Sequence, residues 1–406
     1  MDRTERQKLG IKRWLSASGR GTCVYCTGFG KTRVALDTIE LLTRKTPNLS
    51  VLVVVPTEVL KEQWIDNLIS RNLLGNCDVE IINSVIKKDW VCDLLIQDEC
   101  HQFCSETFKT VFEKVSYKLI LCLTATLERL DGKEEIIKKY APVCDKITMD
   151  EAEQNGWVAP FKEYVVMIKT DLTEYNRLNH KFQASFSVFN WDFNVAMKCV
   201  QDVFFRRRWC KENNLNFKEI TAITYDWMRC LRLRKQFVQS HPKKFEIARK
   251  ILDARQDKKC LTFSATIADA EKIGRGFVLH SKQSKKQNSE ILDKFKKLKC
   301  GVLNSSKACN TGVDIDGLSV GIILSVNSSK ITKSQTLGRI CRFSPDKKAE
   351  LFTLIIAGTQ EWGWWRNSKS SSNYIIIDEN QLDEVLAGKK IISRQIDDNQ
   401  NVNFRF

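Results

Sequence analysis

The chain has 406 residues, 43% of them hydrophobic and 28% charged, enough for two or three compact domains with real cores. Lys and Arg exceed Asp and Glu to give a net charge of +16, which favours a polyanionic partner such as nucleic acid, although a merely basic enzyme carries the same sign. The longest apolar runs are strand-sized, such as VLVVV at 51–55, and the start MDRTERQKLG is charged, so the expectation is a soluble cytoplasmic protein rather than a membrane or secreted one.

From the N-terminus, GTCVYC leads into the Gly-rich stretch TGFGKT, and RVALDTIELLTRK follows with apolar residues at helical spacing. VLVVVP, VEIIN, CDLLIQDE and KLILCLTAT come next, each bounded by turn-forming or charged residues. This alternation predicts a parallel α/β sheet, in which ligands bind at the carboxyl ends of the strands. After YVVMIKT the chain turns helical, basic and aromatic, with FFRRRWCKENN and WMRCLRLRKQF. Alternation resumes at CLTFSAT, GFVLHS, CGVLNSS, VGIILSV and ELFTLII. The expected organisation is an α/β domain over 1–148, a linking strand with a helical insertion over 149–256, a second α/β domain over 257–380 and a polar tail over 381–406. The 15 cysteines are scattered singly and read as reduced core residues; Cys23 and Cys26 lack the second pair that a zinc site needs.

Residues 25–32, YCTGFGKT, follow the spacing of a phosphate-binding loop, with Tyr25 where a small residue is usual. Thr27, Gly28, Phe29 and Gly30 would wrap phosphates with backbone N–H groups, Lys31 would reach the outer ones, and Thr32 would help to hold Mg²⁺. Such a loop needs a metal ligand and a means of activating water. Asp98 and Glu99, at the end of an apolar strand, would supply them, Asp98 for Mg²⁺ and Glu99 for the attacking water. Adjacent carboxylates on extended chain point to opposite sides, which would let each serve its own ligand.

The ordered set VVVPTEVLKEQW at 53–64, DECH at 98–101, LTATLERLDG at 123–132, NTGVDIDG at 310–317 and QTLGRICR at 335–342, with the loop, resembles the superfamily-two helicases of the DExH type. The branch with similar loop and TAT segments contains the phage recombination helicase UvsW and the TFIIH-type translocases, and the compact size points to a phage or viral source. The resemblance implies two RecA-like domains in tandem, ATP and Mg²⁺ in the cleft between them, and one nucleic-acid strand across their tops. Ala is frequent at the loop's first position, so a Cβ fits there, and Tyr25 needs only to point its ring away from the phosphates.

By the same resemblance, Gln7 reads the adenine edge, while His101, Thr124 and Thr126 couple hydrolysis to domain movement. Gly312 and Asp314 sense nucleotide at the interdomain face. Gln335, Arg339 and Arg342 form the last motif, whose arginines reach the γ-phosphate. Pro56, Thr57 and Gln63 in the first domain, and Ser264, Lys307, Asn310 and Thr311 in the second, would contact the strand. Arg206, Arg207 and Arg208 in the insertion suit a surface that grips phosphates, whereas the insertion's Trp residues read as inward-packing. The resulting expectation is an ATP-dependent DNA helicase or translocase acting on forks, displacement loops or junctions in recombination, repair or replication. An RNA helicase and a nucleotide-gated clamp are the alternatives.

Overall fold

The computed structural model describes residues 1–105, 107–128, 132–306, 315, 317–326, 348–368, 371–389 and 391. Two parallel sheets organise them. In the first, β1 (Arg20–Tyr25), β2 (Val51–Val55), β3 (Cys77–Ile81), β4 (Trp90–Asp98), β5 (Val115–Thr124) and β6 (Val143–Ile147) lie in the order β3-β2-β4-β5-β1-β6. VLVVV is buried at every position, as expected of a strand covered on both faces. Its neighbours are in parallel register, with Val53 opposite Val79 on one side and Ile96 on the other. Helices Arg3–Ser16, Lys31–Lys45 and Glu58–Ser70 cover this sheet, the first opened by a capping box between Asp2 and Glu5.

The second sheet runs β13-β7-β12-β11-β8-β10-β9. Its members are β7 (Phe161–Ile168), β8 (Lys259–Phe263), β9 (Phe277–Leu279), β10 (Gly301–Ser305), β11 (Leu318–Ile323), β12 (Ala349–Ile356) and β13 (Tyr374–Ile377). Two expected boundaries move. Strand β7, expected in a linker, pairs with β12 from Phe161 opposite Ala349 to Ile168 opposite Ile356, and with β13. The second domain therefore starts near residue 161 rather than 257. Its end also lies beyond 380, because helix Glu379–Leu386 buries Leu382 and Val385 against the same sheet.

The insertion interrupts this second domain after its first strand. Helices Thr173–Ser187, Phe193–Gln201, Val203–Glu212 and Phe217–Gln239 gather round their own core of Phe186, Phe189, Cys199, Cys210, Ile220 and the fully buried Trp227. Helix Pro242–Asp253 then returns to the sheet and buries Phe245, Ile247, Ala248, Ile251 and Leu252 on it. Among the described residues no helix is long and apolar enough to cross a membrane.

Candidate active site and nucleic-acid interface

The Gly-rich loop joins β1 to the Lys31–Lys45 helix, with Gly30 as that helix's N-cap. Gly28 and Gly30 have φ of 86° and 103°, values that a side chain resists. A Cβ on Gly30 would also come within 2.6 Å of Gln7 Nε2. The first helix braces the loop from below. Arg3 donates from Nε to Phe29 O at 2.9 Å and from Nη2 to Gly28 O at 2.7 Å, and Gln7 Nε2 donates to Phe29 O at 2.9 Å. Gln7 Oε1 is buried with no hydrogen-bond partner.

Tyr25 turns away from the loop into the packing between the first helix and β6. Its hydroxyl donates to Asp145 Oδ2 at 2.7 Å, and its ring meets Phe29 edge-on at 5.3 Å. Gly10 makes the room, since a Cβ there would stand 2.0 Å from the hydroxyl. Asp145 also accepts from Arg6 at 2.6 and 2.9 Å and from Arg13 at 2.5 Å. Burial alone would push Asp145 up, but the hydrogen bonds from Arg6, Tyr25 and Arg13 outweigh it and hold its carboxyl below the ordinary value.

Across the loop, the buried Asp98 ends β4 and accepts from Trp64 Nε1 at 2.9 Å. Strand alternation is not what separates the two carboxylates. Glu99 leaves the strand at φ 51°, ψ 44°, a left-handed conformation that costs a non-Gly residue about 1–2 kcal/mol. That turn carries its Oε1 to within 3.5 Å of Lys31 Nζ and its Oε2 to 3.4 Å from His101 Nδ1. Burial and the charge of Glu99 push the Asp98 carboxyl up to about 6. For Glu99 burial is opposed by Lys31 and His101, which win and draw its carboxyl down to about 2. The two neighbouring carboxyls are thus shifted in opposite directions, Asp98 up and Glu99 down.

His101 continues the chain. Its Nδ1 lies 2.9 Å from Thr124 Oγ1, which itself donates to Thr126 O at 2.8 Å. Because the hydroxyl proton is committed to Thr126, Nδ1 must carry the hydrogen that Thr124 accepts. Lys31, Glu99, His101, Thr124 and Thr126 are therefore linked in one line across the ends of the strands. Thr27, Thr32 and Thr126 are half-buried along it.

The expected strand contacts fare differently. Pro56 and Thr57, just before the Glu58–Ser70 helix, and Gln63, in its middle, are half-buried, and Thr57 Oγ1 is engaged as its N-cap, accepting from Leu60 N at 3.4 Å. Ser264 is buried, and its hydroxyl has no hydrogen-bond partner. Arg207 and Arg208 are exposed, but Arg206 is not the surface residue expected of it. At 2% exposure it lies between the rings of Phe217 and Tyr225, 5.8 and 5.6 Å from their centroids, where helical periodicity turns it inward. Lys307, Asn310, Thr311, Gly312, Asp314, Gln335, Arg339 and Arg342 lie outside the described residues.

Sequence reasoning did not find Arg3, Trp64 or the Arg6–Tyr25–Asp145 cluster. The anomalous Tyr25 was the available signal for the last; the other two are made by contacts between distant segments.

Two family models match the chain. Residues 1–90 match the type III restriction enzyme res subunit, and residues 243–344 match the helicase conserved C-terminal domain. The DNA 3'-5' translocase XPB2 of Sulfurisphaera tokodaii is 26% identical over 379 residues, spanning 88% of this chain and 82% of its own. These matches support an ATP-dependent helicase. The helicase is also 33% identical over 153 residues to the putative ATP-dependent RNA helicase QP509L of African swine fever virus, of whose length it spans only 29%. Its fold matches that of S. cerevisiae Dbp5 bound to RNA and ADP BeF3, with a TM-score of 0.60 at 13% identity over 94% of this chain and 91% of that one. The four insertion helices fall between the two family matches.

Proposed function

We propose that this helicase is a DNA motor in which the line from Lys31 through Glu99 and His101 to Thr126 couples ATP hydrolysis to movement. That line of contacts is the observation that carries the reading. The loop fits a nucleoside triphosphate: Gly28 and Gly30 hold positive φ, a Cβ on Gly30 would run into Gln7, and Gln7 Oε1 is a buried acceptor still unpaired. Thr32 and Asp98 would hold Mg²⁺, which supplies charge neutralisation on the β- and γ-phosphates.

Glu99, held anionic, orients water and takes its proton as the oxygen attacks the γ-phosphorus. The bond to the β-phosphate oxygen breaks, and ADP and phosphate leave. Lys31 stabilises charge on the outer phosphates, and the family resemblance assigns Arg339 and Arg342 to the same group. His101 senses the change at Glu99 and passes it to Thr124 and Thr126 on the neighbouring strand.

Similarity to a DNA translocase over most of both chains supports DNA as the track. Pro56, Thr57, Gln63, Ser264, Lys307, Asn310 and Thr311 are proposed to hold one strand, and exposed Arg207 and Arg208 to reach duplex or branched DNA. The match to a viral protein named as an RNA helicase favours RNA as the second reading. ATPase stimulation measured with single-stranded, duplex, forked and four-way DNA, and with the matching RNAs, tests the choice. Strongest stimulation by branched DNA is expected; stimulation by RNA alone would replace this reading with the second.

A further inference from the structure

The two longest insertion helices, Thr173–Ser187 and Phe217–Gln239, pack side by side and leave a groove of about 320 Å³ between them. One wall carries Arg177 and Lys181 on successive turns, the other Asp226 and Arg229, and the small side chains of Ala184 and Ser185 keep the groove open further along. Of the lining residues only Asp226 is acidic. Arg177 is bound to Glu174 at 2.7 and 2.8 Å. Lys181 and Arg229 are exposed and form no salt bridge among the described residues, although the charge of Lys181 helps to lower the Glu174 carboxyl.

The cations converge. Cys230, on the groove wall, has its thiol pushed up by burial and by Asp226, while the fields of Lys181, Arg229 and Arg234 all pull it down. Bringing like charges from two helices to one groove is unfavourable on its own, and a polyanion lying along it removes that cost.

We infer that this groove holds the sugar–phosphate backbone of DNA, with Lys181 and Arg229 as its phosphate contacts. The inference rests on the DNA-motor reading and adds a second grip, on different helices from Arg207 and Arg208, which sit on Val203–Glu212. The small residues admit a backbone closely, and no aromatic ring is among the lining residues to stack on a base, which suits phosphates held by Lys181 and Arg229 at the rim above the apolar floor of Leu178 and Leu233.

The test is duplex DNA binding by the full chain at a series of NaCl concentrations, comparing the parent, Lys181→Gln/Arg229→Gln and Arg207→Gln/Arg208→Gln. Each lost phosphate contact lowers the salt slope by about 0.9, so the groove variant is expected to lose just under about two units. Its ATPase without DNA and its melting temperature should match the parent, and a Lys181→Arg variant should keep the slope. A groove variant with the parent's slope and affinity overturns the groove while leaving the motor reading intact. A parent whose binding to DNA is itself independent of salt, with no DNA-stimulated ATPase, overturns the motor reading and the groove's ligand together. Parental DNA slope combined with lost binding of a polyglutamate peptide would reassign the groove to an acidic protein.

Discussion

Lys31 and Glu99 stand 3.5 Å apart, and each sets the other's chemistry: the cation lowers the carboxyl's pKa, and the carboxylate fixes the amine over the loop. Replacing Glu99 with Gln keeps the shape and removes the base. ATP turnover should fall at least about a hundredfold, the usual size of a general-base effect, while nucleotide binding persists. Single-turnover hydrolysis measures this, and a normal rate would place water activation elsewhere. Asp145 supports the site one layer below. Asp145→Asn leaves Arg6 charged and buried without its partner, and should cost about 3–5 kcal/mol in denaturant unfolding at neutral pH. The sign with pH follows from the depressed carboxyl. Its stabilisation is complete above the unfolded value of about 3.9 and is lost as pH falls through the lower folded value. The gap between parent and variant should therefore narrow in acid; a gap that widened would contradict the assignment. At this scale the motif residues could be read from sequence, because the loop and DECH chemistry is local. The left-handed turn at Glu99 and the inward Arg206 could not, since each is set by what surrounds it.

Helix Pro242–Asp253 shows how elements are locked together. Lys244 Nζ, fully buried, donates to Glu361 at 2.7 and 2.8 Å and to Leu324 O at 2.7 Å, and Glu361 in turn accepts from Ile356 N at 3.0 Å. One ion pair thus ties the helix to the ends of β11 and β12. Burial lowers the Lys244 pKa and raises that of Glu361, so each needs the other to stay charged. Lys244→Met should cost about 3–5 kcal/mol by stranding Glu361, and Lys244→Met/Glu361→Leu should recover most of it. Chemical denaturation of the three proteins measures this, and a double variant no better than the single would show that the pair is not the unit. Individual strands and helices were legible because apolar runs and helical periodicity mark them. The inward Trp227 was legible for the same reason. Which elements pair was not, because Lys244 and Glu361 meet only in the folded chain.

At the scale of the molecule, two parallel α/β sheets follow from the alternation in the sequence, their RecA-like character is what the family resemblance implies, and the Dbp5 fold agrees. The nesting of the insertion inside the second domain does not follow from it. Strand β7 joins a partner that arrives only after the insertion and four further strands of its sheet, and parallel pairing across such a distance leaves no local mark. The segment that joins the domains touches both: Asp150 accepts from Ser371 Oγ at 2.6 Å and from Ser372 N at 3.0 Å in the second, and Trp157 packs edge-on against loop residue Phe29 of the first at 5.6 Å. A loop touching the segment that joins the two domains is placed to transmit nucleotide state to both. The central claim is that ATP turnover at this loop drives movement on DNA. Displacement of a labelled strand from a forked duplex, followed with ATP for the parent and for Lys31→Ala, tests it most directly. The account predicts ATP-dependent displacement by the parent and neither displacement nor ATP turnover by a folded Lys31→Ala protein. Displacement that proceeds equally in the variant, or that the parent performs without ATP, would contradict it.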